Sequence, residues 1–413
     1  MTIIDGTGAP PRAAMRLVLK GERIDSIGCT CEPLPPNATV VDLHGSYVMP
    51  ELVDVHVHLG LLSGLTISAA NYTEANIASH LRRFQSYGIG AVISLGSDRD
   101  EILAVRSATR VTSSPLVYSA LQGFGVPNGL PPLELGFDQA YRPATADEAR
   151  SNVDAVALKG PDIIKIWVDD FWGKYPKMKP EIYGAIIEQA HSRGLKVAAH
   201  VYHLEDARSL VIIGVDVLAH SVRDGELDPD LLARMKANGT VYVPTLSLDE
   251  YAFAYPDESP WLRDPFFVGA LEPGVLQMVT SAEYRTKLKA DPTTAAERKA
   301  LPIALKNVAS AYKAGVKVAL GTDAGATPIR PQGYSEHHEL GLLVEAGLSP
   351  LEAITIGTKN GADLLNSHDF GTLEVGKHAS FIVLDNDPTV DIANTHTIST
   401  VWHRGTCVFR ATK

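Results

Sequence analysis

Between about residue 50 and residue 346 the chain alternates short apolar runs with longer amphipathic stretches, eight times over. Few folds accept that pattern. The first run ends at His56 and His58; the others are Ala91–Leu95, Leu116–Leu121, Ile163–Val168, Lys196–His200, Val215–His220, Thr240–Leu246 and Val316–Thr322. Helical stretches follow them, among them Tyr72–Tyr87, Pro180–Arg193 and Pro229–Asn238, and Pro180 suits a first helical turn. Eight strands each followed by a helix predict an α/β architecture, a closed (β/α)8 TIM barrel. No Gly-x-Gly-x-x-Gly opens a helix after the first strand, which argues against a doubly wound dinucleotide-binding sheet.

The two ends of the chain have a different texture. Arg16–Lys20, Glu22–Gly28 and Ala38–Leu43 read as short strands, as do Gly371–Lys377, Phe381–Asp385 and Thr400–Phe409. So few strands bury little apolar area alone. The simplest expectation is one small β-sandwich with an N-terminal half, 1–48, and a C-terminal half, 368–413. Between them lies the barrel, 49–367, with a lid insertion at about 246–300.

A net charge of −11 and the lack of any basic run argue against nucleic-acid binding through a broad basic surface. Cys29, Cys31 and Cys407 are too few for a disulfide framework, and Cys29 and Cys31 read as ordinary thiols. No apolar run approaches the ~20 residues that span a bilayer, and the first residues lack a leader pattern. The expectation is a cytoplasmic protein that avoids membranes and forms a homo-oligomer.

Barrel active sites sit at the C-terminal ends of the strands. The polar residues there are His56 and His58 on strand one, Lys165 on strand four, His200 on strand five, His220 on strand six and Asp323 on strand eight. His56 and His58 are two apart on a strand, so both rings face one side. Each residue alone has an innocent reading, as a hydrogen-bonded histidine, a snorkelling lysine or a cap. Six such groups at five strand ends point to a metal site.

Together with Ile24-Asp-Ser-Ile-Gly, Met49-Pro, Ala219-His-Ser, Gly321-Thr-Asp and Gly371-Thr-Leu-Glu-Val-Gly-Lys, these residues resemble the amidohydrolase superfamily. The similarity is to its imidazolonepropionase-like branch, with dipeptidase, carboxypeptidase and amidase relatives, and it covers nearly the whole chain. The resemblance implies two divalent metal ions, Zn2+ first, with Mn2+, Fe2+ or Co2+ also compatible with these donors. His56, His58 and Asp323 would hold the more buried ion, and His200 and His220 the more exposed one. Lys165 would bridge both as a carbamate formed with CO2. It also implies a bridging hydroxide that attacks an amide-type carbonyl, with Asp323 shuttling the proton. An N-acyl amino acid, a dipeptide or an aryl amide is the expected substrate. Lactones, carbamates, esters and phosphotriesters are the alternative, followed by a mononuclear deaminase or a non-catalytic barrel.

Several positions depart from that pattern. Lys165 is followed by Trp167-Val-Asp-Asp-Phe-Trp where peptidase relatives commonly carry a Gly-Gly stretch. Asp169 and Asp170 read as caps of that loop, or as groups that orient a substrate amine or a ligand histidine. Glu51 stands where relatives usually have glycine, with no mechanistic account. His203 is a candidate transition-state donor or an outward cap, and Tyr242 a candidate oxyanion or carboxylate partner or a core residue. The loops after the strands are rich in rings: Phe124, Phe137 and Tyr141; Trp167, Phe171, Trp172 and Tyr175; Tyr251, Phe253, Tyr255, Trp261, Phe266 and Phe267. If these line the pocket, a small-molecule substrate with an apolar or aromatic part follows; otherwise they pack a lid.

Overall fold

The computed structural model describes residues 1–131 and 139–412, so Phe137 lies outside the described residues. Seven central strands form: β1 (Leu52–Val57), β2 (Ile89–Ser94), β3 (Leu116–Ser119), β4 (Ile164–Trp167), β5 (Val197–His200), β6 (Val217–Ala219) and β7 (Val241–Val243). All pair in parallel, as the sheets β1-β2-β3 and β4-β5-β6-β7. Beyond β3, Phe124 bridges Ile166 of β4. Residues 316–322, expected as the eighth strand, form no strand: Val318 bridges Tyr242 of β7, and Ala324, just beyond them, bridges Val57 of β1. The Ala319 amide donates to the Tyr242 carbonyl at 3.0 Å, and the Val55 amide donates to the Leu320 carbonyl at 2.9 Å. One continuous eight-stranded ladder is therefore not formed among the described residues. β1 carries an extra residue between Asp54 and Val57, and a bulged strand leaves ladder groups unpaired.

Strand alternation divides the core into two layers. Val53, Val55, Ala91, Ile93, Ala198, Val217, Ala219, Val241, Val243 and Ala319 pack together inside the ring of strands. Leu52, Val92, Ile164, Ile166, Val197, Leu218, Tyr242 and Leu320 face outward, where they pack with helix residues such as Phe84, Ile186 and Leu210. The helices follow their strands closely. Thr73 caps Glu74–Ser86 and Asp228 caps Pro229–Asn238 through side-chain oxygens that accept first-turn amides.

The chain ends share one sheet. Its order is Thr2–Ile3, Tyr47–Pro50, Phe381–Leu384, Ile398–His403 and Thr406–Arg410, and the hairpin Met15–Lys20/Arg23–Cys29 lies against it through Ile24, Leu17 and Leu19. Two expected strands do not form. Residues 38–43 are irregular, with Val40 and Val41 exposed, and 371–377 make turns around Gly371 and Gly376. Cys29 and Cys31 pair as a disulfide rather than remaining ordinary thiols, their Cα atoms 5.2 Å apart.

Glu51 gains an account here. Its Oε2 lies 2.6 Å from His403 Nδ1, and both side chains are buried. The pair ties the start of β1 to the terminal sheet. The insertion after β7 is helical throughout most of its length, ending in the long helix Pro292–Ala314. Tyr251, Tyr255, Trp261 and Phe267 stack among themselves and on Tyr334 and His338 of the helix Tyr334–Glu345. Those rings pack the insertion down and do not line the pocket. Among the described residues no helix is long and apolar enough to cross a membrane.

Candidate active site

The six strand-end residues reach one space by three local routes. Lys165 and His200 follow simple alternation: Ile163 and Lys165 point inward on β4, as do Ala198 and His200 on β5. His56 and His58 do not. Val53 and Val55 already face inward, so strict alternation would turn His56 outward with Asp54. The bulge at Asp54–Val57 resets the parity, so Val57 packs in the outer layer and both histidines line the pocket. Asp54 stays outside the ring and braces the bulge: its Oδ1 accepts from the His56 amide at 2.8 Å and its Oδ2 from Thr322 Oγ1 at 2.6 Å.

His220 takes the third route. Its φ and that of Asp323 are 77° and 57°, a left-handed conformation costly for side chains with a Cβ. For His220 the reversal turns into the pocket a side chain that alternation with Leu218 would have sent outward, whereas Asp323 keeps the inward phase of Ala319 and Gly321. Gly321 permits the approach, since a Cβ there would lie 2.4 Å from Val243 and 2.9 Å from His56 Cβ.

Their mutual geometry is that of a ligand set. His58 Nε2 and His56 Nε2 lie 2.9 Å and 3.3 Å from Asp323 Oδ1. Donor atoms that share an ion at 2.0–2.2 Å stand about 3–3.5 Å apart. One ligand atom from each of His56, His220 and Asp323 falls within 4.8 Å of the others. The His220 ring centre is 4.6 Å from that of His56 and 4.3 Å from that of His200. Three rings are held by a second partner on their other nitrogen: His58 Nδ1 by the Gly96 carbonyl at 3.2 Å, His220 Nδ1 by Thr245 Oγ1 at 2.9 Å, and His200 Nε2 by Asp169 Oδ2 at 3.0 Å. That is how ligand histidines are oriented. Both ring nitrogens of His56 and the Nζ of Lys165 are buried without a hydrogen-bond partner. Buried polar atoms left so are costly, and a cation resolves the cost for the imidazoles. The residues fit a metal centre.

Burial dominates the protonation of the group. It lowers His56 to about 3, lowers His200, and holds His220 well below the ordinary imidazole range, with Lys165 adding to each effect. Neutral imidazoles are the ligating form. Burial also lowers the Lys165 ammonium to about 7, partly opposed by Asp323. For Asp323 burial acts upward, but Arg330 and His58 outweigh it and keep the carboxyl well below the usual range.

His56, His58, His200, His220 and Asp323 line a cleft of about 530 Å³, a size suited to small-molecule substrates. Trp167, Phe171, Trp172, Tyr202, Leu61, Ile67 and Leu248 supply its apolar wall. Trp172 packs edge-on against Tyr202. Two candidates from the sequence lie elsewhere. Tyr242 points to the outer layer between the inward Val241 and Val243, and its hydroxyl accepts from the Val222 amide at 2.9 Å. His203 precedes the helix Leu204–Ile213 and pairs through Nδ1 with Asp224 at 2.8 Å, outside the cleft lining. Asp170 faces Lys177, while Asp169 orients His200.

Thr245, Arg223 and Arg330 were not singled out by sequence reasoning: Thr245 sits within the expected strand 240–246, and the two arginines follow their strands by several residues. Arg223 is buried under the Tyr202 ring and held by Asp249 at 3.3 Å and Glu297 at 3.1 Å. Arg330 pairs with Asp323 Oδ2.

The chain belongs to the amidohydrolase family, whose model matches residues 47–408. It is thus a metal-dependent hydrolase that acts on C–N bonds, with an α/β fold of the TIM-barrel type. An uncharacterized protein of Mycobacterium tuberculosis is 28% identical over 337 residues, 78% of this chain and 75% of that protein. Ochratoxinase of Aspergillus niger is 26% identical over 318 residues, 74% of this chain and 55% of the enzyme. Among solved structures, a Xaa-Pro dipeptidase with bound methionine superposes with a TM-score of 0.78 at 23% identity, covering 99% and 98% of the two chains. Molinate hydrolase superposes with 0.75 at 19% identity, covering 98% and 92%.

Proposed function

We propose that the chain is a binuclear hydrolase of an amide-type bond in a small substrate with an apolar or aromatic part. The observation that carries this reading is the buried, unpartnered Lys165 amine beside His56, His200, His220 and Asp323. A lysine lowered to about 7 exposes a free electron pair at neutral pH. It could attack CO2 and release a proton, and the resulting anionic carbamate would offer two oxygen ligands to divalent cations. His56, His58 and Asp323 would hold one ion, and His200 and His220 the other. Divalent ions there would polarise a carbonyl and lower the pKa of water.

The protein residues do the rest. Asp323, kept as carboxylate, takes a proton from the attacking water and passes it to the leaving nitrogen. Asp169, Thr245 and Gly96 fix the histidine rings. Trp167, Phe171, Trp172 and Tyr202 receive the apolar part of the substrate and exclude water. Membership of the amidohydrolase family lends support to the bond type.

The test is metal analysis with hydrolysis assays on the purified chain supplied with zinc or manganese plus bicarbonate. N-acyl aromatic amino acids, dipeptides and aryl amides form the main panel, against lactones, carbamates and esters. About two ions per chain and amide turnover support the proposal. Fewer than one ion, or turnover confined to the second panel, overturns it.

A further inference from the structure

The proposed role of Asp323 leaves a contradiction in the cleft. Its Oδ1 faces His56 and His58, and its Oδ2, the oxygen free to take a proton, is engaged by Arg330 Nη1. For water or substrate to reach that oxygen, the guanidinium has to leave it.

Arg330 is placed to do so. It lines the cleft, and its Nε is buried with no hydrogen-bond partner. Asp323 is its one ion-pair partner among the described residues. The other guanidinium in the cleft, Arg223, already has two carboxylates, Asp249 and Glu297, and a ring above it. Arg330, by contrast, is held by one carboxylate among the described residues.

The loop that carries Arg330 is fixed, so the movement belongs to the side chain. Gly325 sits at φ 82°, where a Cβ would lie 2.3 Å from the His58 carbonyl oxygen and 2.4 Å from Gln332 Nε2. Gln332 Nε2 donates to that carbonyl at 3.2 Å, the Gly325 amide to the Arg330 carbonyl at 3.0 Å, and Tyr255 Oη to the Ile329 carbonyl at 2.5 Å. A flexible guanidinium on a rigid loop can exchange one carboxylate for another nearby at little cost, because the planar fork fits either.

We propose that Arg330 is a specificity-determining residue that recognises a carboxylate on the substrate and, in turning to it, releases Asp323 Oδ2. The substrate class is therefore an N-acylated amino acid or dipeptide with a free carboxylate, rather than a neutral aryl amide. This rests on the hydrolase reading above and narrows it.

The test separates charge recognition from turnover. Trp167 and Trp172 line the cleft, so binding can be followed by tryptophan fluorescence on the full chain, with and without zinc. The probes are N-acetyl-L-phenylalanine and its carboxamide. The wild type should bind the carboxylate at least about ten-fold more tightly than the amide, the scale of one charge-assisted hydrogen bond. Arg330→Gln should bring the two dissociation constants within about two-fold of each other, and Arg330→Lys should restore part of the gap. Arg330→Gln should also weaken the carboxylate selectively, since a merely structural arginine would shift both probes together. No saturable binding of the carboxylate, no preference in the wild type, or a preference that survives in Arg330→Gln overturns the inference. Loss of hydrolysis with the binding pattern intact would instead count against the hydrolase reading.

Discussion

Histidine meets carboxylate at both ends of the central strands, with opposite outcomes. Where β1 begins, His403 Nδ1 lies 2.6 Å from Glu51 Oε2 in a site with room for about one water. Where the strands finish, four histidines, Lys165 and Asp323 gather beside a cleft of about 530 Å³, several of their polar atoms without partners. The first arrangement joins two parts of the chain through one contact, and leaves Glu51 Oε1 and His403 Nε2 buried without a hydrogen-bond partner. The second leaves such atoms too, but they come from several strand ends and meet beside an open cleft. Unpartnered polar atoms therefore do not by themselves make a chemical site; convergence of several donors on a space large enough for a ligand does.

Substitutions at the two ends should therefore fail in different ways. Lys165→Ala should lower kcat/KM of the metal-loaded protein by at least about a thousand-fold, the order of several kcal/mol of lost charge stabilisation. Its thermal unfolding without metal should barely fall, since a buried unpaired amine is removed. Retention of activity would end the proposal for that residue. At the other end Glu51→Ala should cost about 3–5 kcal/mol in urea unfolding, because it strands a buried histidine. Its kcat/KM should change by less than about two-fold. If activity collapsed while stability held, the comparison would be wrong.

Smaller effects sharpen the contrast. Thr245→Val removes the oxygen that orients His220 and should weaken zinc affinity by about 10–100-fold, read by competition with a chelator. The Lys165 ammonium, lowered to about 7 by burial, is mostly charged below that pH and mostly free amine above it. At a fixed concentration of dissolved CO2, reactivation of metal-stripped protein by zinc should accelerate as pH rises through about 7 and then level off. The Glu51→Ala protein should share that profile, and a pH-independent rate would remove the amine from the account. Tyr242→Phe should have the smallest effect, about 1–2 kcal/mol of stability from the unpaired Val222 amide, with kcat little altered.

Much of the site was legible because strand ends carry their chemistry in the residue that terminates the apolar run. His56, His58, Lys165, His200, His220 and Asp323 were named that way, and the structure gathers them. Ring-bearing loops were harder to read. Phe171 and Trp172 line the cleft, while Tyr251, Tyr255 and Phe267 are buried against the helix Tyr334–Glu345. An aromatic residue has the same composition whether it faces a pocket or a neighbouring helix.

Sequence alone determined the alternation of strand and helix, the pairing of the chain ends as β texture, and the identity of the donors. Side-chain type and apolar periodicity are local properties, so they survive without coordinates. Tertiary structure decided the directions. The β1 bulge reset the parity that would have turned His56 away, and left-handed backbone turned His220 inward. It also brought Arg330 onto Asp323 and His403 onto Glu51. Such contacts depend on packing that fixes one- and two-residue departures from regular geometry, and a periodic pattern carries no record of those departures.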